Sequence, residues 1–213
     1  MTRNIIVIGG GGHAKVLISI LKKMRTYQIV GYTDLHNNGR VLGILHLGED
    51  GILKEMRMKD SRLSAAIGIG NTSLSRKRMS LMKYLEDLDV LLPSIISPDS
   101  VVNEDTRIGR ATVVFDGAVV NSGARIGDCC IINTNSTVEH DCVISDNVHI
   151  APGASLSGGV GIGENTLIGT GSTIIQNVRI CGDCVIGAGA VVARDIGVPG
   201  TYVGVPAVKM DRT

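Results

Sequence analysis

The chain has 213 residues, which is enough for one large domain or for two small domains with separate hydrophobic cores. Its 21 Lys and Arg and 20 Asp and Glu leave a formal net charge of +1, which argues against electrostatic binding of DNA, RNA or an anionic membrane. With no Trp, one Phe and 28 Gly, the core must use Ile, Val, Leu and Ala, a composition that suits a narrow, repeated interior.

The start of the chain offers neither a signal-peptide core nor a membrane span. The apolar run that ends at Ile8 is followed by four glycines and is too short for either. All five cysteines lie between Cys129 and Cys184, and an odd number suggests no disulfide framework. We therefore expect a cytoplasmic protein that is not inserted in a membrane.

Residues 1–94 alternate predicted strands with predicted helices, which indicates an α/β domain with a parallel sheet. Apolar runs predict strands over residues 4–8, 28–33, 63–69 and 90–92. Helical periodicity predicts helices over residues 13–25, 48–58 and 73–86.

The turn after the first strand has the composition of a phosphate-binding turn. GGGGHA at residues 9–14 fits the G-x-G-x-x-A pattern, and Asp34 ends the second predicted strand, where it could accept a ribose hydroxyl. Gly11 and Gly12 would let a phosphate approach the backbone N–H groups at the start of the helix. Because the domain lacks a second mononucleotide half, the pattern favours a nucleotide-linked sugar over NAD and over a purely structural turn.

A six-residue repeat begins at Ile95 and runs without insertion through Ile196. The second place of seventeen consecutive hexads, from Ile96 to Val192, is always Ile, Val or Leu, and the sixth place is usually a small residue. A period of six fits neither a helix nor simple strand alternation. It predicts a parallel β-helix of triangular cross-section, in which three hexads form one coil and the aliphatic and small residues point inward.

Several motifs and the repeat together carry a family resemblance. The motifs, in chain order, are GGGGHAK at 9–15, AIGIGN at 66–71, NTNSTVEHDC at 133–142, HIAPGA at 149–154 and VGVPA at 203–207. This combination resembles the bacterial sugar O-/N-acyltransferases among the hexapeptide-repeat transferases. The group includes UDP-4-amino-sugar N-acetyltransferases and sialic acid O-acetyltransferases. The resemblance implies a left-handed β-helix and a homotrimer with its sites at subunit interfaces. It also implies a nucleotide-sugar-binding domain over residues 1–94, and an acetyltransferase domain with a C-terminal tail over residues 95–213.

The resemblance also implies roles for individual residues. His140 corresponds to the general base, and Asp141 to the acid that raises its basicity, where the family often has Glu. Residues that correspond to acetyl-CoA contacts are His149, Gly158 and Ala188. Residues that correspond to nucleotide-sugar contacts or to a polar group near the site are Gly11, Gly12, His13, Asp34, Gly68 and Asn133.

The chemistry of these residues suits acetyl transfer. A thioester is already activated, so the enzyme needs mainly proximity, a base for the incoming nucleophile and donors for the oxyanion. His140 occupies a corner or outward place of its hexad and is therefore available as that base, and Asp141 can fix its tautomer. His149 also points away from the interior of the coil, on another side, so the two histidines would meet most easily between subunits.

The sequence therefore predicts an acetyl-CoA-dependent N-acetyltransferase acting on the amino group of a nucleotide-linked sugar of the 4-amino-4,6-dideoxy type. Two alternatives stay open, O-acetylation of a sialic-acid-type sugar and a non-enzymatic sugar-nucleotide-binding protein. A β-helix carbonic anhydrase needs three zinc-binding histidines, whereas the repeat offers only His140 and His149. The C-x-x-C at residues 181–184 is interpreted as core filling, and no metal is expected.

Overall fold

In the computed structural model, which describes residues 2–210, the chain forms two compact units. The first contains residues 2–70 and 77–98, and the second contains residues 71–76 and 99–210. The short segment 71–76 thus groups with the second unit, although it interrupts the first in sequence.

The first unit is an α/β domain with a parallel sheet, which confirms the predicted fold class. The sheet has three strands, β1 (Arg3–Ile8), β2 (Tyr27–Thr33) and β3 (Ser64–Ile67), and the two-residue strand β4 (Ile95–Ile96) lies outside it. The helices are α1 (Gly12–Met24), α2 (Leu53–Lys59) and α3 (Lys77–Asp87). A 3-10 turn, Asp50–Ile52, precedes α2. β1 lies between β2 and β3 and is parallel to both. Its apolar side chains pack in the core, and Ile5 and Ile6, which point to opposite faces of the sheet, are both fully buried.

Three predicted elements differ from the structure. The predicted helix at 48–58 consists of the 3-10 turn followed by α2, which begins only at Leu53. The predicted strand at 90–92 is reduced to one parallel bridge between Leu91 and Ser64. The Leu91 N–H donates to Leu63 O, and Leu91 O accepts from the Ala65 N–H, but the next donor in this ladder would be Pro93, which has no N–H. The predicted helix at 73–86 begins only at Lys77, because residues 71–76 pack on the β-helix instead.

The second unit is a left-handed parallel β-helix, as the repeat and the family resemblance predicted. Its strands are β5 (Val101–Val102), β6 (Arg107–Ile108), β7 (Val113–Val114), β8 (Val119–Val120), β9 (Arg125–Ile126), β10 (Ile131–Ile132), β11 (Thr137–Val138), β12 (Val143–Ile144), β13 (His149–Ile150), β14 (Ser155–Leu156), β15 (Gly161–Ile162), β16 (Leu167–Ile168), β17 (Thr173–Ile174), β18 (Arg179–Ile180), β19 (Cys184–Ile186) and β20 (Val191–Val192). A hairpin of β21 (Gly200–Val203) and β22 (Val208–Lys209) follows.

Each coil contains eighteen residues, so a residue pairs with the one eighteen places further along the chain. Ile132, for example, pairs in register with Ile150, and Ile150 with Ile168, and all three side chains are fully buried. The corners use the left-handed backbone region, which Gly, Asn and Asp adopt at the lowest cost. Asn135 and Asn147 have φ of 54° and 55° at two such corners. The inward aliphatic and small places are thus confirmed.

The cysteines fill the interior of the coils. Cys130, Cys142 and Cys184 are fully buried at the small inward place, as predicted, and all five cysteines are free thiols. Burial raises the pKa of Cys142 to about 11 and that of Cys184 to about 12, so both thiols stay protonated at neutral pH. The Sγ atoms of Cys181 and Cys184 are 3.5 Å apart. Within residues 2–210, no three His, Cys, Asp or Glu side chains cluster closely enough to hold a metal ion.

Candidate active site

His140 and Asp141 form a hydrogen-bonded pair at the corner between β11 and β12. The Nδ1–H of His140 donates to Asp141 Oδ2 over 2.9 Å, and the two side chains are 63% and 73% exposed. The Asp141 hydrogen bond raises the pKa of His140, with smaller contributions from the charges of Asp141 and Glu139. With the proton held on Nδ1, the lone pair of the neutral imidazole is on Nε2.

Glycines in the neighbouring coils make room for this pair. A Cβ on Gly158, one coil after His140, would lie 2.5 Å from both Cε1 and Nε2 of the imidazole. A Cβ on Gly123, one coil before Asp141, would lie 2.6 Å from Asp141 Oδ1, and Gly123 has φ of +76°. The pair therefore depends on the absence of side chains in the coils on either side.

A row of polar side chains supports the residue before His140. Asn103 Nδ2 donates to Asn121 Oδ1 over 2.6 Å, and Asn121 Nδ2 donates to Glu139 Oε2 over 2.8 Å. These three residues stand eighteen places apart, so they occupy the same position in successive coils. The row holds the carboxylate of Glu139 beside the backbone of His140, whose N–H lies 3.4 Å from Glu139 Oε2.

His149 stands on β13, on another side of the coil from the corner that carries His140. Its side chain leaves the interior of the coil as predicted, but it is only 8% exposed, because residues 71–76 cover it. Its Nδ1–H donates to Asn71 O over 2.5 Å, and its Nε2 is 2.9 Å from Asn133 Nδ2. His149 thus points out of the coil, as expected, and in this chain the segment 71–76 covers it.

The orientation of the Asn133 amide follows from its other neighbour. Asn133 Oδ1 accepts from the Thr134 N–H over 2.8 Å, so the amide nitrogen must face His149. His149 Nε2 is then the acceptor, and its proton is on Nδ1. Asn133 and His149, which sequence reasoning assigned separately, thus form one hydrogen-bonded pair.

The two backbone positions predicted to contact coenzyme A stand at different corners. Gly158 lies at the corner that carries His140, in the next coil. Ala188 is exposed at the corner after β19, which is the corner that Thr134 occupies three coils earlier. Within one chain, the structure brings Gly158 to His140 and places Ala188 elsewhere on the surface.

The glycine-rich turn of the first unit borders a cavity of about 530 Å³, whose lining residues are Gly10, Gly11, Gly12, Lys15, Asn38, Arg40, Val41 and Leu42. Gly11 and Gly12 have open space where a Cβ would be, so their missing side chains leave this cavity free. Gly11 is the N-cap residue of α1, and the first N–H groups of the helix are at this end. Lys15 and Arg40 add two positive charges to the cavity.

Asp34 holds the turn in place. Its Oδ2 accepts from the Gly10 N–H over 2.7 Å, and its Oδ1 accepts from the His36 N–H over 2.9 Å. The hydrogen bond from His36, supported by that from Gly10, lowers the pKa of Asp34 despite partial burial. Both carboxylate oxygens thus have a structural partner in the protein.

Gly68 and His13 lie beside this turn. A Cβ on Gly68 would lie 2.8 Å from Val7 Cγ1 and 3.0 Å from Ala14 Cβ, so glycine permits the close packing of β1, α1 and the end of β3. His13 lies next to Gly70, where an added Cβ would be 3.3 Å from His13 Cβ. The structure therefore places Gly11, Gly12, His13 and Gly68 around one turn.

Sequence reasoning missed two groups of residues. Lys15, Asn38 and Arg40 line the cavity, and only Lys15 belongs to a motif that the sequence shows. Asn147, Asn165 and Asp183 form a second polar row on the β-helix, and their spacing of eighteen residues was a visible signal. The residues that surround each group depend on the paths of irregular segments, which the periodicity of the sequence does not predict.

Comparisons with known families match both units. The family described as PglD N-terminal domain matches residues 4–83. The family described as bacterial transferase hexapeptide (six repeats) matches residues 123–158 and 159–194. A comparison with curated proteins gives no match.

Solved structures resemble the chain over its whole length. The acetyltransferase domain of PglB from Neisseria gonorrhoeae in complex with acetyl coenzyme A is 35% identical, with a TM-score of 0.92, covering 99% of this chain and 100% of that one. A histidine-to-asparagine mutant of perosamine N-acetyltransferase from Caulobacter crescentus, in complex with CoA and GDP-perosamine, is 34% identical, with a TM-score of 0.92, covering 98% and 97%. WeeI from Acinetobacter baumannii is 27% identical, with a TM-score of 0.87, covering 98% and 100%.

Replacing Asp141 with Asn should lower the pKa of His140. The amide keeps the shape of the carboxylate but loses the charge and the strong acceptor that stabilise the imidazolium. The pKa is raised in the native protein, so the titration midpoint should move to lower pH in the variant, as measured by NMR of the His140 ring protons. Glu139→Gln is the matched control and should move the midpoint less, because Glu139 makes the smallest contribution. Equal midpoints in Asp141→Asn and the unmodified protein would contradict the role of the pair.

Proposed function

Because the chain belongs to the hexapeptide-repeat sugar acetyltransferase family, we propose that it transfers the acetyl group of acetyl-CoA to the amino group of a nucleotide-linked amino sugar. The observation that carries the proposal is the His140 imidazole, which Asp141 holds and which lies over the side-chain-free Gly158. The likeness to a structure with acetyl coenzyme A and to another with CoA and GDP-perosamine supports both substrate classes.

In the proposed reaction, the sugar amine attacks the thioester carbonyl carbon of acetyl-CoA. The new C–N bond forms, the C–S bond breaks, and coenzyme A leaves as the thiolate. His140 Nε2 accepts the proton that the amine loses, and Asp141 stabilises the resulting imidazolium through Nδ1. The observed tautomer supports this direction of proton transfer, because it leaves the lone pair on Nε2.

The proposed acetyl-CoA contacts are His149, Gly158 and Ala188. The position of Gly158 beside the His140 ring supports a backbone contact near the thioester, and the exposure of Ala188 supports a contact further along the coenzyme. Since both ring nitrogens of His149 are engaged, its proposed contribution is made through the Asn133 amide.

The proposed nucleotide-sugar site is the cavity at the start of α1. The first N–H groups of a helix and the positive end of its dipole favour a diphosphate, and Gly11 and Gly12 keep the approach open. Lys15 and Arg40 would neutralise part of its charge, and His13 and Gly68 lie beside it. The Asp34 bonds to Gly10 and His36 support a role in shaping the turn, alongside the ribose contact that was expected. The proposed location of the protein is the cytoplasm, because nucleotide sugars and acetyl-CoA are made there.

We expect turnover with 4-amino sugars linked to UDP, GDP or dTDP. The assay follows release of the coenzyme A thiol and the gain of one acetyl group by mass spectrometry. A sialic-acid-type sugar serves as the hydroxyl substrate in parallel. If the chain releases coenzyme A only with the hydroxyl substrate, the N-acetyltransferase assignment is wrong, and if it does so with none of these sugars, the enzyme assignment fails.

Replacing His140 with Ala should lower kcat by about 10²–10⁴, the usual scale for loss of a general base. Affinity for acetyl-CoA should stay nearly unchanged, because the imidazole acts on the amine. Steady-state kinetics and calorimetric titration with acetyl-CoA measure the two quantities. Unchanged turnover in the variant would remove His140 from the mechanism.

Replacing Gly11 with Val should raise KM for the nucleotide sugar at least about tenfold, equivalent to about 1.4 kcal/mol, with little change in KM for acetyl-CoA. The added side chain has room in the fold but projects toward the diphosphate position. Gly51→Val is the matched control, since Gly51 also has open space but lies outside the cavity. Equal KM values for the two variants would argue against a nucleotide site at this turn.

The proposed assembly is a homotrimer. Val101 and Val143 are 51% and 52% exposed on the outer faces of the coils, and His140 is open to solvent in one chain. A closed threefold arrangement would cover such surfaces and complete the site around His140. Light scattering should give about three times the 22.4 kDa chain mass. A fully active monomer would contradict an intersubunit site.

A further inference from the structure

Residues 71–76, here called the strap, are attached to the β-helix at three points. Asn71 O accepts from the Nδ1–H of His149, and Ser75 O accepts from Asn147 Nδ2 over 2.9 Å. The third attachment is ionic: the Arg76 guanidinium lies 3.1 Å from Glu164 Oε1 and 3.2 Å from Asp183 Oδ1. Two of the three attachments use backbone carbonyl groups of the strap, which a substitution cannot remove. The attachment of the strap is therefore tested by substituting Arg76.

Two partners of the strap, Asn147 and Asp183, are the ends of a continuous polar row on the β-helix. Asn147 Nδ2 also donates to Asn165 Oδ1 over 2.8 Å, and Asn165 Nδ2 donates to Asp183 Oδ1 over 2.5 Å. All three residues have a left-handed backbone, with φ of 55°, 52° and 57°. The row ends at the Asp183 carboxylate, whose charge Arg76 balances, so the last attachment of the strap also stabilises the row that holds Ser75.

The first attachment of the strap determines the proton position on His149. While Asn71 O accepts from Nδ1, the proton stays there and Nε2 accepts from Asn133. A proton on Nε2 would place two donors against each other, so only the tautomer with its proton on Nδ1 satisfies both Asn71 and Asn133. One hydrogen of the Asn133 amide is then directed to His149, and the second is available to another acceptor.

We propose that Arg76 is a positioning residue: by fastening the strap to Glu164 and Asp183, it keeps Asn71 O on His149 and so fixes the His149 tautomer and the direction of the Asn133 amide. The inference rests on the proposed function in one respect, namely that the Asn133 amide faces the acetyl donor. In that position the second N–H of the Asn133 amide can donate to the thioester oxygen as negative charge develops on this oxygen.

The test compares Arg76→Gln with Arg110→Gln in the full-length protein. Arg110 is the matched control, because it is also an exposed arginine in an ion pair on the β-helix, with Asp128, but it lies outside the strap. Nitrogen-detected NMR of the histidine rings, with His149 assigned from a His149→Gln variant, reports the tautomer and the protonation state.

In the unmodified protein and in Arg110→Gln, His149 should show a proton on Nδ1 and none on Nε2 at neutral pH. In Arg76→Gln, the Nδ1–H signature should weaken and the Nε2–H tautomer should become populated, because a loosened strap no longer holds Asn71 O against Nδ1. The kcat for acetyl transfer should fall about fivefold, the scale of one exposed ion pair, while the pH dependence due to His140 is unchanged. Arg76→Lys, which keeps the charge, should restore part of both effects.

An unchanged His149 spectrum in Arg76→Gln would overturn the proposal, as would an equal change in Arg110→Gln, which would indicate general loosening of the β-helix. The NMR measurement does not require turnover. A His149 response specific to Arg76→Gln in a protein without acetyltransferase activity would support the strap and defeat the proposed function instead.

Discussion

The closure of each coil after eighteen residues is the constraint on which the second unit depends. Three short strands and three corners must enclose a narrow interior, which accepts aliphatic and small side chains and little else. Because successive coils stack in register, each corner residue lies directly between the corresponding corner residues of the coils before and after it. A polar residue at one corner therefore meets the residues eighteen places before and after it, and this geometry builds the rows Asn103–Asn121–Glu139 and Asn147–Asn165–Asp183.

The same stacking gives His140 its surroundings. The corner places the imidazole outside the packed interior, where it can reach a ligand, and the adjacent Asp141 accepts its Nδ1–H. Glycines at the matching positions of the neighbouring coils give the two side chains space. His140 is oriented by its hydrogen bond to Asp141 and by steric room, and its side chain stays 63% exposed.

The two units hold their functional groups by different means. In the first unit, the backbone itself forms the candidate site, and Asp34 holds the glycine turn through the Gly10 N–H. In the second unit, the candidate residues His140, Asp141 and His149 are side chains at a corner or on an outer face of the coils. The strap residues 71–76 directly follow Gly68-Ile69-Gly70 in the sequence, and Asn71 of the strap is bonded to His149.

The sequence by itself determined the parallel α/β sheet, the β-helix and the side chains inside it, because both patterns are local and periodic. With a period of six, residues such as Ile132 and Ile150 can be buried together only inside a β-helix. The hexad position of Cys142 alone was enough to place it in that interior. The His140–Asp141 bond was also predictable from the sequence, since the two residues are adjacent at a corner.

The tertiary structure alone decided the surroundings of His149, the cations of the cavity and the start of α3. Each depends on where an irregular segment passes: residues 71–76 leave the predicted helix to cover His149, and the 38–42 loop brings Arg40 to Gly11. Loop paths are set by many weak long-range contacts and leave no period in the sequence. For that reason His149, which its hexad position predicts to be exposed, is covered by a segment more than seventy residues away in the sequence.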